Sequence, residues 1–281
     1  MMTTLQTKVI EERSEEGKPI LETQSLTRRF GTLVAADNFS IQISPGEVFG
    51  LVGPNGAGKT TVIKMLTTLL APTSGNAWVA GYDIVKHAAY VRRVIGYVPQ
   101  LLSADGSLTG YENLLIFSKL YHIPRQERNT RIREGLAVMG LSDVANKMVH
   151  DYSGGMIRKL EIAESMLHRP KVLFLDEPTV GLDPIARNAV WDHVRKLREE
   201  YGTTILLTTH YMEEADTLCD RVAIMHLGKL AVVGSPTELK ASVGPDATLD
   251  DVFVHYSGYE VDAVGNWREV SRTRRTARRL A

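Results

Sequence analysis

The chain has 281 residues, 43% of them apolar, and its 33 basic and 33 acidic side chains give a formal net charge of zero. This composition is typical of a folded globular protein and excludes fibrous and largely disordered classes. The zero net charge gives no argument for nucleic acid, so no nucleic-acid partner is expected. The single cysteine, Cys219, permits neither an internal disulfide nor a thiolate metal cluster, which agrees with a reducing compartment.

The sequence contains no pattern for crossing a membrane. No apolar run approaches the roughly 18 residues needed to span a bilayer, and no signal-peptide pattern stands at the start. We therefore expect the product to remain in the cytosol, with any membrane role depending on a partner. Residues 1–20 are polar and predict a mobile arm, whereas residues 268–279 carry six arginines. Such a tail suits anionic lipid headgroups or RNA, or else it is a solvated end.

Two segments near the start alternate apolar and polar side chains. Residues 20–26 and 38–43 show this alternation, which predicts half-exposed antiparallel strands in an edge sheet. Between them Phe30 stands in a polar turn, where an aromatic ring gains little by packing unless something stacks on it. An adenine ring would serve, although a lone exposed phenylalanine also occurs without any function.

A phosphate-binding loop follows the predicted buried strand at residues 47–52. It fits the pattern G-x-x-x-x-G-K-[ST] and consists of Gly53, Pro54, Asn55, Gly56, Ala57, Gly58, Lys59, Thr60 and Thr61. Its glycines let backbone N–H groups converge, and the helix predicted at residues 61–67 adds partial positive charge there. Lys59 is predicted to contact the β- and γ-phosphates of a nucleotide, and the Thr60 hydroxyl to ligate Mg²⁺.

The middle of the chain combines two strands with a group of helices. Strands are predicted at residues 76–79 and 95–98, and Gln100 follows the second, where its amide could reach a metal-bound phosphate or water. Helices at residues 111–121 and 126–139 predict an inserted helical subdomain of about residues 101–168. Ser153, Gly154 and Gly155 then open another helix, which gives either a second anion-binding geometry or a plain N-cap with flexible glycines.

An apolar run at residues 172–175 ends in Asp176 and Glu177. Because it is apolar on both faces, it belongs in the middle of a parallel sheet. Ligands bind at the carboxyl ends of such strands, which places the two acids beside the phosphate-binding loop. There Asp176 could hold Mg²⁺ through water and Glu177 could polarise the water that attacks the γ-phosphate. Two acids after a strand are otherwise solvated turn residues.

The remaining elements continue the alternation of strands and helices. Asp183 precedes a helix at residues 185–201, and His210 ends a buried strand at residues 204–209. A lone histidine there is either part of the site or a simple hydrogen-bonding residue. A helix at 212–218 and a hairpin of strands at 221–225 and 230–233 complete the predicted domain.

In this order and spacing, the motifs resemble the ATP-binding subunit of ABC transporters over about residues 21–245. Phe30 matches the adenine-stacking aromatic of this family, Gly53 to Thr61 match the Walker A loop, and Gln100 matches the Q-loop. Ser153 to Gly155 match the signature sequence, and Asp176 and Glu177 match the end of the Walker B strand with its catalytic glutamate. Asp183 matches the D-loop and His210 the switch histidine. The resemblance implies catalytic roles for Lys59, Glu177 and His210. It also implies Mg²⁺ ligation by Thr60, Gln100 and Asp176.

The resemblance further implies a fold and a division of the chain. The fold is of the α/β class, a P-loop NTPase (RecA-like) core with an antiparallel β edge sheet and the inserted helical subdomain. Residues 1–20 form the arm, residues 21–245 the ATPase domain, and residues 246–281 a C-terminal extension with the basic tail. Two copies would close around Mg-ATP, so that the signature residues of one cover the nucleotide held by Lys59 of the other.

Three segments resemble the drug-export branch typified by daunorubicin-resistance ATPases, which work with a separate ABC-2 type permease. They are Met156 after Ser-Gly-Gly, residues 207–215 and residues 249–253. Val180 and Glu164 depart from the small residue and the arginine that are common at those positions. The implied function is an ATP-hydrolysing subunit, held at the cytoplasmic face of the membrane by its permease, that powers export of a drug-like or lipid-like substrate.

Two alternatives remain open. One is export of a polysaccharide or another large substrate. The other is a soluble ABC ATPase acting on ribosomes or DNA, which usually carries two cassettes or a long coiled coil. This sequence has one cassette and no heptad run.

Overall fold

The computed structural model describes residues 17–257 of the chain. Residues 1–16 of the predicted arm and the basic tail after residue 257 lie outside the described residues. The described strands are β1 (Leu21–Phe30), β2 (Leu33–Phe39), β3 (Gln42–Ile43), β4 (Val48–Val52), β5 (Ser74–Val79), β6 (Tyr82–Asp83), β7 (Ile95–Val98), β8 (Val172–Asp176), β9 (Thr204–Thr209), β10 (Arg221–His226) and β11 (Lys229–Gly234).

Helices alternate with these strands in the second half and cluster in the middle of the chain. They are α1 (Lys59–Leu66), α2 (Ala88–Val94), α3 (Gly110–Leu120), α4 (Arg125–Val138), α5 (Gly154–Met166), α6 (Pro184–Tyr201), α7 (Met212–Leu218), α8 (Pro236–Val243) and α9 (Leu249–Ser257), with 3₁₀ turns at Ser142–Val144 and Val149–Asp151. Within residues 17–257, no helix is both long enough and apolar enough to cross a bilayer.

A six-stranded sheet forms the centre of the fold, with the strand order β11-β10-β4-β9-β8-β7. Its strands pair in parallel except for β11, which pairs antiparallel with β10. Val52 pairs with Thr209, and Thr208 pairs with Asp176, so β4, β9 and β8 end at the same edge. Residues that follow these three strands are therefore neighbours, as expected for the ligand-binding edge of a parallel sheet.

The central sheet is covered on both faces, which explains its continuous apolar strands. In β8, Leu173 and Leu175 face one core with the helices, whereas Val172 and Phe174 face a second core. The second core also contains α1 and the antiparallel sheet, whose order is β2-β1-β5-β6 with β3 paired to β1. The predicted α/β core with an antiparallel edge sheet and inserted helices is confirmed.

The second predicted strand is wrong in its extent. Instead of one strand at residues 38–43, the chain forms β2 and, after a break, the short β3. The break falls at Ser40 and Ile41, which meet β1 through side-chain hydroxyls: the Ser40 hydroxyl accepts from the N–H of Ser25 at 2.8 Å, and the N–H of Ile41 donates to the Thr23 hydroxyl at 2.9 Å. β1 also extends to Phe30, which ends a strand instead of standing in a turn.

The C-terminal helix α9 packs onto the elements that precede it. Its Leu249 and Val252 are buried in the same core as the helical face of the central sheet. The division of the chain at residue 245 stays a prediction.

Glu164 lies buried in α5, and among residues 17–257 its Oε1 has no hydrogen-bond partner. Burial, together with the nearby charge of Glu161, raises the pKa of Glu164 to about 8. Between pH 4.5 and about 8, the unfolded chain has lost this proton while the native chain keeps it, so native stability falls as the pH rises.

We predict that Glu164→Gln stabilises the protein at pH 8 by about 2–4 kcal/mol relative to the natural chain. The difference should vanish near pH 4.5, where both forms carry a neutral side chain. Urea unfolding at several pH values measures it, with the exposed Glu200→Gln as control. An equal effect of Glu164→Gln at both pH values would contradict the prediction.

Candidate functional site

The loop between β4 and α1 has the geometry of a phosphate-binding loop. Gly58 caps α1 with φ of 103°, and a Cβ at this position would collide with the carbonyl oxygen of Ala35. Only glycine fits there, because the backbone is left-handed and the neighbouring strand is close. The loop therefore turns sharply into the helix and places Lys59 in its first turn.

Lys59 is buried and its ammonium group lies across the loop. Nζ donates to the carbonyl oxygens of Gly53 at 2.7 Å and Pro54 at 3.1 Å. It also lies 3.2 Å from Oε1 of Glu177. Both side chains of this ion pair are at most 5% exposed, so water screens the attraction little.

The carboxylate of Glu177 is the point where three of the predicted site residues meet. Besides Lys59, Oε2 accepts from Nε2 of Gln100 at 3.2 Å. Nδ1 of His210 lies 3.2 Å from the same Oε2, without the geometry of a hydrogen bond. Lys59, Gln100 and His210 follow three different strands, and the strand order brings them together.

A second carboxylate, that of Asp176, lies beside the first. Its Oδ1 accepts from the hydroxyls of Thr60 at 3.1 Å and Thr208 at 2.6 Å. The Thr208 hydroxyl also accepts from the backbone N–H of Glu177 at 3.0 Å, where φ is 49°. Thr208 is thus hydrogen-bonded both to the side chain of Asp176 and to the backbone of Glu177. Burial and the charge of Asp176 raise the pKa of the neighbouring Tyr97 to about 12, so this side chain stays neutral.

The donor set around Asp176 suits Mg²⁺. Within residues 17–257, no three histidines, cysteines or acids form a metal cluster on their own. Mg²⁺ bound with a nucleotide needs only one or two protein ligands, because phosphate oxygens and water supply the others. The Thr60 hydroxyl and the Asp176 carboxylate are already adjacent, and both are oxygen ligands.

Phe30 and the signature residues lie outside this cluster. Phe30 is 45% exposed, and the guanidinium of Arg28 covers its ring at 4.6 Å. Ser153 caps α5, because its hydroxyl accepts from the backbone N–H of Met156 at 3.3 Å. A Cβ on Gly155 would crowd Ala186 of α6.

Asp183 forms a second group with these signature residues. It caps α6, since Oδ1 accepts from the N–H groups of Ile185 and Ala186, both at 2.9 Å.

Of the predicted site residues, the structure brings together Lys59, Thr60, Gln100, Asp176, Glu177 and His210. It places Ser153, Gly154 and Gly155 beside the start of α6.

Two polar residues of this region were not predicted from the sequence. Thr208 is one, and Glu214 of α7 is the other. Glu214 is fully buried, and its Oε1 accepts from Thr179 Oγ1 and Trp191 Nε1, both at 2.8 Å. It thereby joins the segment after Glu177 to α6 and α7. For Thr208 the available signal was a polar side chain within an apolar run, whereas the polar sequence around Glu214 gave no such signal.

A phosphate-binding loop beside two strand-end acids, at the edge of a parallel sheet, defines a P-loop nucleotide hydrolase. Residues 36–180 match the family model described as ABC transporter. The daunorubicin resistance ATP-binding protein DrrA3 of Streptomyces coeruleorubidus is 45% identical over 219 residues, covering 78% of this chain and 69% of that protein. The chain belongs to the ABC transporter family, as an ATP-binding subunit with ATPase activity.

Two further comparisons agree with this assignment. The probable multidrug ABC transporter ATP-binding protein YbhF of Escherichia coli (strain K12) is 39% identical over 242 residues, covering 85% of this chain and 42% of that protein. The chain thus spans less than half of YbhF. Among solved structures, the dimeric post-hydrolysis state of the ATP-binding cassette MJ0796 bound to ADP and Pi has a TM-score of 0.68 at 26% identity, covering 76% of this chain and 98% of that one.

We predict that Thr208→Val lowers the free energy of unfolding by about 2–3 kcal/mol, because the buried Asp176 carboxylate loses a hydroxyl donor. Thr204→Val is the matched control in the same strand, since the Thr204 hydroxyl accepts from the backbone N–H of Gly46 and not from a group of the site. Its cost should be about 1 kcal/mol. Urea unfolding measures the stability of both variants. An equal decrease in the free energy of unfolding of both would contradict a larger contribution from the bond to Asp176.

Proposed function

We propose that the chain powers export of a drug-like or lipid-like substrate through a separate ABC-2 type permease, which holds it at the cytoplasmic face of the membrane. The observation that carries the ATPase part is the convergence of Lys59, Gln100 and His210 on the carboxylate of Glu177. The drug-type substrate is supported by relatives named for daunorubicin and multidrug resistance.

In this proposal, the residues around Glu177 have different roles in ATP hydrolysis. Lys59 and the loop from Gly53 to Thr61 bind the phosphates, and Phe30 stacks on the adenine. Thr60, Asp176 and Gln100 hold Mg²⁺, which when bound offsets the negative charge of the phosphates. Glu177 takes a proton from the attacking water, and His210 holds the γ-phosphate in place. Glu177 suits this role because Lys59 and Gln100 fix its carboxylate.

The proposal requires a second copy of the chain or a related subunit. Ser153, Gly154 and Gly155 lie beside α6 and not beside Lys59 of the same chain. A head-to-tail pair would place the signature residues of each copy over the nucleotide of the other, next to Asp183. The dimeric form of the MJ0796 cassette supports this arrangement.

An apolar surface next to Gln100 is the proposed site for the permease. Leu101, Leu102, Ile116 and Leu120 are exposed there, Leu101 by 81%. Asn113 of α3 ties the loop after β7 to the helix, because its side chain both accepts from and donates to the backbone of Asp105 at 3.0 Å. The loop after β7 is therefore held against α3, and a partner docked on Leu101 and Leu102 would contact the segment that reaches Glu177.

Glu177→Gln should abolish turnover and leave an ATP-bound dimer. Without the carboxylate base, phosphate release is expected to fall by at least about 100-fold, whereas the phosphate-binding loop is unchanged. Phosphate release and size-exclusion chromatography with ATP measure the two effects. Glu213→Gln, an exposed glutamate of α7, is the control. Near-normal phosphate release by Glu177→Gln would refute the base assignment.

Leu101→Glu should prevent co-purification with a coexpressed ABC-2 type permease, because a charge would have to be buried in the apolar contact. Leu227→Glu is the matched control, since Leu227 is also exposed but lies at the turn between β10 and β11. Equal recovery of the permease with both variants would refute the docking surface. Loss with Leu101→Glu alone would also argue against a soluble ATPase.

A further inference from the structure

A buried ion pair in α5 has no place in the site described so far. Arg158 and Glu161 are one helical turn apart, and Nη1 of Arg158 lies 2.9 Å from Oε2 of Glu161. Both side chains are at most 3% exposed. We call these two residues the α5 clamp. They follow Ser153, Gly154 and Gly155 within the same helix.

The α5 clamp binds the backbone of residues 99–103, the segment that contains Gln100. Arg158 donates from Nη1 to the carbonyl oxygen of Pro99 at 2.6 Å and from Nη2 to that of Gln100 at 2.7 Å. Glu161 accepts from the backbone N–H of Ser103 and, at 3.1 Å, from its hydroxyl. The segment is therefore held at its beginning and at its end.

The position of this pair is costly for stability. Burial is the main cause that lowers the pKa of Arg158, and burial is also the main cause that raises the pKa of Glu161. For each group, desolvation thus outweighs the attraction of its partner. Replacing such a pair by apolar side chains of similar size is often neutral or stabilising. The pair must therefore be explained by what it holds in place.

Two features of the molecule depend on the segment that the clamp holds. The side chain of Gln100 reaches Oε2 of Glu177 at 3.2 Å. Leu101 and Leu102 lie between the two anchored ends and are exposed. A displacement of this segment must therefore move Gln100 relative to Glu177 and must also pull on α5, which begins at the signature residues.

We propose that Arg158 and Glu161 are positioning residues for ATP hydrolysis, which make the Gln100 segment and the Ser153-Gly154-Gly155 end of α5 move as one unit. The inference rests on the proposed function, because Gln100 and the signature residues acquire their roles there. Both clamp residues act through the two segments that they join. Their effect is on the geometry in which the two halves of a composite site meet.

The test is the double variant Arg158→Met with Glu161→Leu in the full chain. Gln100 and Ser103 are exposed and Pro99 is half-buried, so water can replace the lost partners of the backbone groups of all three residues. We expect an unchanged or higher melting temperature and binding of a fluorescent ATP analogue within about twofold of the natural chain, since the phosphate-binding loop is untouched. The turnover number should fall at least about tenfold, because the two halves no longer align.

Two companion variants sharpen the result. Arg158→Met alone leaves the Glu161 charge buried without its partner and should lower the melting temperature. The control pair is Asp192→Asn with Arg195→Gln, which removes an exposed ion pair of the same spacing in α6 and should change nothing.

Combined with Glu177→Gln, the double clamp variant should no longer form the ATP-bound dimer on size-exclusion chromatography.

The outcomes separate the inference from the proposed function. If the double variant keeps the natural turnover number and dimerises with ATP, the positioning role is refuted while the ATPase remains. If turnover, melting temperature and ATP binding all fall together, the pair is merely structural and the inference is also refuted. If the natural chain itself neither binds nor hydrolyses ATP, the proposed function fails before the clamp is tested.

Discussion

The contact between Lys59 and Glu177 is the interaction on which the site depends. An ammonium and a carboxylate, both nearly excluded from water, lie 3.2 Å apart. Buried charges persist only when they are paired and hydrogen-bonded, and each partner here comes from a different part of the chain. Lys59 follows β4 and Glu177 follows β8, with β9 between these strands. The ion pair therefore requires the central sheet to form in its correct order and register.

The parts of the site that were predicted from sequence have one property in common. The residues next to them in the sequence determine where they lie in the fold. The phosphate-binding loop is contiguous, and Asp176, Glu177 and His210 each stand at the end of an apolar strand. Parallel strands place their carboxyl ends at one edge, so their convergence follows once the strands are recognised. The same holds for the helices of the insert, where Thr109 begins α3 with a capping box that is local in sequence.

The parts that were not predicted depend on contacts between distant residues. Thr208 lies 32 residues from Asp176, and Arg158 lies 59 residues from Pro99. Nothing in the neighbourhood of either residue indicates which group it will meet. The break between β2 and β3 also involves distant residues, because Ser40 and Ile41 bond to Ser25 and Thr23 of β1.

The distribution of buried charge shows where this fold accepts a cost in stability. The buried acidic and basic side chains of residues 17–257 are Glu47, Lys59, Arg158, Glu161, Glu164, Asp176, Glu177 and Glu214. All but Glu47 belong to the site or to α5 and α7. In β1 and at the end of α1, the buried polar side chains are instead the uncharged Thr23, Thr27 and Thr67. An apolar core packs equally well around several small displacements, whereas paired charges require one arrangement. In the proposed mechanism, Gln100, Glu177 and the signature residues must align at each turnover, and that restriction favours the alignment. For this reason we expect Arg158 and Glu161 of α5 and Glu214 of α7 to define the geometry of the helices relative to the phosphate-binding loop.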